Sequence, residues 1–558
     1  MLLIQPQYLT LAKLFDGRLF EIPDYQRAYS WTSQQRMDLF GDIDKSMNKG
    51  EDAGHFMAAV VCLRTGKRRL HTDDYHVLDV VDGQQRLTTL IILLNSIRLA
   101  LDTSEKKQAR LADELSELLV KEEDGELLLL QTNHDSSHHF SNFLKKGTQP
   151  APDKAATLAD HEILSAIQDC AEYVGAWTGR GYSLLALATL LKNRLYFLLH
   201  EVEDEKLVYT VFEVLNSRGL DVSWMDRLKS ILMGNAFELK KSNSQGVIDE
   251  LHTTWRFIYS TIGLRQGMST EALRYAATLR TTEAPRRPLG EKDAVESLRQ
   301  DATTAKTIRE TAAWLLRVTE ACDSVVGNSR INAVTRISQA RLLATAIHLR
   351  DDLSPSDRES LLKRWEKVSF RIYGMLGNDA RTRVGDFVRL AWRIVNEMLP
   401  AKTIHKEIAS IGEEFTIEDA VENLRNVNCY DDWEVELRYL LFRYEEHLAK
   451  CQKMKFSNEQ WQKIWMVSPS DSIEHIWPVS KAPVKQANRL GNLVLLPPKL
   501  NSKLQASDPV SKAESYRKTG LLIAIDVSEM IETSGWNKGS IEAREESILE
   551  WAAEEWAD

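Results

Sequence analysis

Only five cysteines, at 62, 170, 322, 429 and 451, occur in 558 residues, and no two form a CxxC pair. That scarcity argues against a zinc knuckle, a structural zinc and a disulfide framework, and it fits a reducing cytoplasm. No apolar run reaches about eighteen residues, so neither a membrane span nor a membrane partner is expected. The start, "MLLIQPQYLTLAKLF", lacks a basic segment leading into an apolar stretch and a small-residue cleavage site, so a secretory signal is not expected. No GxxxxGK(S/T) motif exists, which excludes a P-loop NTPase, and no repeat of roughly 20–50 residues is evident.

What is present reads as globular protein: 43% apolar and 27% charged residues. The length exceeds what one hydrophobic core serves, so two to four domains are expected. The pattern predicts an α+β chain that is predominantly helical. Residues 1 to about 100 mix strand and helix signals, with "RLFEIP" and "YHVLDVVDG" as short β-rich runs and "QQRLTTLIILLNSIRLAL" as a buried helix. From about 105 to 450 the reading is mostly helical. Two helices there break at "DLSPSD", with Ser356 or Asp357 as the expected cap of the second, and 280–294 is a Pro- and charge-rich loop. After 450 the pattern turns mixed, with "LGNLVLLP" as a short strand and a long helix at the end. The expected divisions are 1–235, a helical middle 236–425, and 426–558. Of the fourteen tryptophans, Trp314, Trp365 and Trp392 sit in helical apolar stripes, where core packing is their expected role.

The net charge of -10 hides a local concentration of bases. From Pro478 to Lys518 eight bases (Lys481, Lys485, Arg489, Lys499, Lys503, Lys512, Arg517 and Lys518) face only Asp508 and Glu514, leaving +6. Seven acids and one arginine then crowd Ile541–Asp558. A basic patch suits DNA, although a solvated face reads the same way.

That patch begins just after "DSIEHIWP", residues 471–478, where Glu474 stands against His475. Downstream, "RLGNLVLLPPKLNSKL" supplies Asn492 before a short strand and Asn501 after a turn. The 26 residues from His475 to Asn501 allow a strand–strand–helix unit closed around one metal ion. Phosphodiester cleavage needs a base for water and a cation for the phosphate and the leaving oxygen. His475 suits the base. Glu474 and Asn501 offer oxygen ligands for Mg²⁺ or Mn²⁺, and Asn492 suits tying down the loop that holds the histidine.

A second constellation lies near the start. "LDVVDGQQRLTTL" is a strand, a turn at Asp82-Gly83 and a helix opening with Gln84, Gln85 and Arg86. A glycine turn at a helix start presents N–H groups to an anion, Arg86 adds a forked cation, and Thr88 and Thr89 add hydroxyls. Upstream, "EIPDYQRAYSW" carries Tyr25, Gln26 and Arg27; downstream, "VFEVLNSRGLDVSWMDRLKSILM" carries Asn216, Arg218 and Gly219. The cluster "NHDSSHHF", with His134, His138 and His139, reads as a polar loop and not as a metal site.

"IEHIWP", "LGNLVLLP", "LNSKLQASDPVSKAESYRKTGL" and the tail "WNKGSIEAREESILEWAAEEW" resemble, in order, the His-Asn-His (HNH, ββα-metal) nuclease domain of the GmrSD family over about 430–558. The resemblance implies His475 as general base, Asn492 as the middle residue and Asn501 as the final metal-side residue. Glu474 stands where many such sites have Asp, which puts its role as a ligand in doubt. The "IPxYQRxYxW", "DGQQRLTT" and "FExLNSRG" blocks resemble the same family's N-terminal domain, whose core is similar to the ParB/sulfiredoxin fold. That likeness implies nucleoside triphosphate binding, with hydrolysis in several members, through Tyr25, Gln26, Arg27, Asp82, Gly83, Gln84, Gln85 and Arg86. The expectation is a cytoplasmic, modification-dependent DNA endonuclease of antiphage defence. It would use Mg²⁺ or Mn²⁺, act on modified phage DNA, contact DNA through Lys481, Lys485, Arg489, Lys499 and Lys503, and stand as a possible homodimer. A nucleotide-gated DNA-binding regulator with a degenerate HNH site and a toxin-like RNase are the alternatives.

Overall fold

The structure is a computed structural model. It describes residues 6–23, 25–47, 54–70, 72–121, 127–132, 137–148, 155, 158–205, 207–208, 223–239, 241–263, 265–431, 433–454, 469–504 and 506–557. Asn216, Arg218, Gly219 and His134 lie outside the described residues, as does the side chain of Lys499. The chain is α+β and predominantly helical, and it divides into two compact units: Met1–Leu273 with Glu291–Thr319, and Arg274–Gly290 with Glu320–Asp558. The expected helical middle, 236–425, is thus shared between the two.

The first unit holds a mixed six-stranded sheet. Its strands are β1 (Gln7–Thr10), β2 (Arg18–Ile22), β3 (His55–Leu70), β4 (Asp73–Asp82), β7 (Leu130–Thr132) and β8 (Leu195–Val202), in the order β1-β8-β3-β4-β2-β7. The strands β5 (Val120–Lys121) and β6 (Leu127–Leu128) form a separate antiparallel pair. β4 runs parallel to β2 and antiparallel to β3, and Asp82, its last residue, lies three residues beyond the Glu21–Asp79 pairing. Leu78 and Val80 alternate inward, as a half-buried strand requires. The helix that follows, Gln84–Ala100, is buried from Leu87 to Ile97 without interruption, so it runs through the core instead of over it.

Between them stands Gly83, at φ 95°, in the left-handed region. A Cβ there would also lie 3.2 Å from Val60 Cγ2. The position requires glycine twice over, for the turn and for the space.

β8 was not foreseen. "LLALATLLKNR" is helical, and "LYFLLHEV" continues directly into a strand that pairs parallel with β3 and antiparallel with β1. The expected cap of the Pro355–Ser369 helix also moves. Ser354, not Ser356 or Asp357, is the N-cap, and its hydroxyl accepts from the Asp357 N–H at 3.1 Å. Pro355 opens the helix with its fixed φ, which leaves the residue before it as the cap.

Among its described residues the second unit is helical apart from one short antiparallel ribbon. β9 (Ile473–His475) pairs with β10 (Leu493–Leu495), His475 opposite Leu493, and the helix Pro498–Leu504 follows after two residues. Trp365 is buried in this unit's core and donates its indole N–H to Ala340 O at 2.8 Å. No helix among the described residues is long and apolar enough to cross a membrane.

Candidate functional site

The ribbon and helix set His475 at the end of β9. The loop joining the two strands is stapled by Asn492, which is fully buried. Its Nδ2 donates to Trp477 O at 3.0 Å and to Ala487 O at 2.9 Å. Its Oδ1 accepts from Trp477 N at 2.8 Å and from Trp536 Nε1 at 3.1 Å. Four bonds on one buried amide leave no orientation but this one.

The closing helix, Lys538–Trp556, grips the same loop. Arg544 donates to the carbonyls of Gly491 and Leu493 at 2.8 and 2.9 Å, and Glu545 pairs with Arg489. A Cβ on Gly491 would lie 2.0 Å from Ile541 O, so only glycine lets that helix pass.

Adjacent strand residues point to opposite faces. His475 is half-buried, while Glu474 turns inward and meets Lys512 of the Pro509–Arg517 helix at 2.5 Å. Lys512 also donates to His475 O at 2.7 Å. Burial pushes the Glu474 carboxyl up and the Lys512 ammonium down, and each partner opposes the other's shift.

Asn501, on the Pro498–Leu504 helix, donates its Nδ2 to Asp471 O at 3.1 Å and to Ile473 O at 3.0 Å. Its amide oxygen is thereby turned away from those carbonyls. Glu474 keeps the carboxylate oxygen that Lys512 does not take. Both donors are hard oxygens, which suit Mg²⁺ or Mn²⁺ better than zinc.

Sequence reasoning missed the partners of His475. Its Nε2 lies 2.8 Å from Asn488 Oδ1, and Tyr430 packs its ring 4.3 Å from the imidazole, centroid to centroid. Burial lowers the His475 pKa; the Asn488 hydrogen bond opposes that shift and Lys512 adds to it.

The basic stretch is mostly spent on ion pairs. Lys512 is buried, Arg489 is held by Glu545 and Glu542, Lys481 by Asp508 at 2.8 Å, Arg517 by Glu532 and Lys518 by Glu514. The count of +6 from sequence therefore overstates the exposed field. Lys485 and Lys503 are exposed and form no ion pair among the described residues.

In the first unit, the residues around Gly83 sort into scaffold and unpaired charge. Gln85 accepts from Ser30 N at 2.8 Å and donates to Ala28 O at 3.1 Å; Gln84 donates to Arg27 O at 3.0 Å and Gln26 to Val81 O at 3.3 Å. These buried amides fasten residues 26–30 to the end of β4 and the helix start. Thr88 and Thr89 bond back to the carbonyls of Gln84 and Gln85, so their hydroxyls are not presented outward as the sequence suggested. Tyr25 is buried, stacked on His252 at 4.2 Å and facing the Lys229 ammonium at 4.6 Å.

That scaffold carries two guanidiniums, Arg27 and Arg86, which make no hydrogen bond or ion pair among the described residues. Arg86 stacks over Trp31 at 5.5 Å, and burial lowers its pKa against the pull of Asp82. Burial raises the Asp82 carboxyl, while the Gly83 N–H at 2.9 Å and the two arginines oppose the rise. Arg27 lines a narrow crevice together with Tyr29, Gln84, Gln85, Thr88 and Phe140.

Two more charged groups, unforeseen from sequence, come from the helix Trp224–Glu238. Asp226 accepts from the Tyr259 hydroxyl, and Lys229 donates to Tyr25 O at 3.1 Å. Burial pushes the Lys229 ammonium down to about 8, with Asp226 opposing. Their signal was the spacing "DRLK", one helical turn apart.

The histidine cluster departs from the expected loop. Ser137–Lys146 is a helix, driven by buried Phe140, Phe143 and Leu144 at i, i+3 and i+4. His138 and His139 ride on it and meet Asp160, the three ligand atoms lying within 4.8 Å of one another. His139 and Asp160 form an ion-pair contact at 3.7 Å.

Two family models match the chain. Residues 11–233 match the N-terminal domain of the GmrSD restriction endonuclease, and residues 415–551 match the C-terminal domain of GmrSD restriction endonucleases. The first match takes in the Gly83 turn with Arg27 and Arg86; the second takes in β9, β10 and the helices packed on them. No curated protein matches the chain.

Proposed function

As the chain belongs to the GmrSD restriction endonuclease family, we propose that it is a modification-dependent DNA endonuclease of antiphage defence. In this reading the strand–strand–helix unit at 473–504 is an HNH site that cuts DNA, and a nucleotide at the Gly83 turn sets when it cuts. The observation that carries the nuclease reading is the Asn501 amide bonded to Ile473 O, which seats a polar residue of the helix against the strand bearing His475.

His475 accepts a proton from water as that water attacks phosphorus; the P–O bond to the leaving oxygen breaks, and that oxygen takes its proton from solvent. Asn492 holds the loop that shapes the cleft, and Lys485 and Lys503 meet backbone phosphates. Asn501 and the remaining oxygen of Glu474 would hold a divalent cation, which would supply charge neutralisation at the phosphate.

The nucleotide reading rests on Arg27 and Arg86. Among the described residues Asp82 is the anion set against both partly buried guanidiniums, which leaves an excess of positive charge that a triphosphate would balance through their fork geometry. Domain-level gating fits the danger of an ungated nuclease to its host's own chromosome.

The test is a digest of matched plain, hydroxymethylated, glucosylated and phosphorothioated DNA, with and without each NTP, for wild type and Arg86→Ala. Cleavage of one modified substrate that responds to an NTP in the wild type only is the expected result. RNA cleavage in place of DNA cleavage would favour the toxin-like reading. A flat response to every NTP, with no binding by calorimetry, would overturn the gating.

A further inference from the structure

The partners of His475 reach back to residues upstream of the ribbon. Asn488 lies in the loop between β9 and β10, and its Oδ1 is 2.8 Å from His475 Nε2. Its Nδ2 is 2.9 Å from Asp431 Oδ2. Asp431 also accepts from Asn428 Nδ2 at 2.9 Å. Asn428 Oδ1 in turn accepts from the N–H groups of Tyr430 and Asp431, each at 3.2 Å. Cys429 N donates to Asn488 O at 3.1 Å, so the segment 428–431 is anchored to the loop through its backbone as well.

We infer that Asp431 and Asn488 are positioning residues that hold His475 as its Nε2–H tautomer and leave Nδ1 as the proton acceptor. The inference rests on the reading of His475 as the general base.

The polarity of the chain of bonds follows from its far end. An ionised carboxylate only accepts hydrogen bonds. The amide nitrogen of Asn488 must therefore face Asp431, which leaves its oxygen facing the imidazole. An oxygen there accepts, so Nε2 must carry the hydrogen. Turning the amide over would set its oxygen against a carboxylate oxygen, with both groups acceptors. Asn428 pins Asp431 so that this end does not swing. Tyr430 covers one side of the ring and restricts its rotation. The remaining ring nitrogen, Nδ1, then keeps its lone pair for the attacking water.

The test compares Asn488→Leu, Asn488→Asp and His475→Ala in the full chain, on the DNA that the wild type cuts. Asn488→Leu is expected to lower kcat about 10–100-fold, a range common for partners that orient a site residue, with KM nearly unchanged. Asn488→Asp keeps an acceptor at Nε2 but sets a second carboxylate against Asp431; combined with Asp431→Asn, whose amide can donate back to it, it is expected to restore most of that rate. In ¹⁵N-histidine-labelled protein, the His475 Nε2–H proton is expected to be held and visible in the wild type, and lost to exchange in Asn488→Leu. A wild-type kcat for a folded Asn488→Leu, or a ring proton found on Nδ1, would overturn the inference while His475→Ala stays inactive. Undiminished cleavage by His475→Ala would instead remove the base on which it rests.

Discussion

His475→Ala is expected to cut DNA about 10²–10⁴-fold more slowly than the wild type, the range for loss of a general base. The imidazole is half-buried, oriented through Nε2 and packed under Tyr430, an arrangement that supports proton transfer and little else. DNA binding should persist, because Lys485 and Lys503 are untouched. The loop should also stay folded, since Asn492, Arg544 and Glu545 hold it without the histidine. Gel-shift and nicking assays on the same preparation separate the two effects. Unchanged nicking by the folded variant would sink the nuclease assignment.

Lys512→Ala is expected to destabilise the second unit by about 3–5 kcal/mol, the cost of leaving one member of a buried ion pair alone. Lys512 is fully buried and Glu474 nearly so, and the ammonium bridges the Glu474 carboxylate and the His475 carbonyl. Without it, a carboxylate sits in the core uncompensated. The deficit should shrink on acidification. Loss of the lysine raises the folded-state pKa of Glu474 further above its unfolded value, so the penalty is full at neutral pH and fades as pH falls toward the ordinary glutamate range. Glu474→Gln combined with Lys512→Met, which removes both charges at similar volume, should recover most of the loss. Thermal melts of the three proteins at two pH values decide it; a Lys512→Ala melt that coincides with the wild type would show that the pair contributes nothing.

Local pattern was enough to read β2, β4, the Gly83 turn and the helix after it. Alternation, a Gly-led turn and an uninterrupted apolar run are each written within about a dozen residues. β8 was hidden because an apolar helix runs into an apolar strand with no Gly or Pro between them. What makes Leu195–Val202 a strand is its place between β1 and β3, more than a hundred residues upstream of it.

The same distinction runs through the site. Glu474, His475, Asn492 and Asn501 stood out because a motif carries them. Which of them bears charge into the cleft was not readable, since Lys512 reaches Glu474 across 38 residues and Glu545 reaches Arg489 across 56. A count of bases along the chain measures composition, and pairing across the fold removes most of it. Asn488 and Asp431 carried no signal of their own; they are 57 residues apart, and only the fold brings them to the histidine. Gln84 and Gln85 show the converse: a conspicuous motif whose amides bond to the backbone of a neighbouring loop.

Metal dependence tests the central claim, cation-assisted cleavage of DNA at the 473–504 unit, most directly. The protein is stripped of divalent ions, given the DNA it cuts best, and assayed with Mg²⁺, with Mn²⁺, with Zn²⁺ and with EDTA. The account predicts cleavage with Mg²⁺ or Mn²⁺ and its loss in EDTA. Cleavage that continues undiminished in EDTA, or no cleavage of any DNA with either cation, would contradict it.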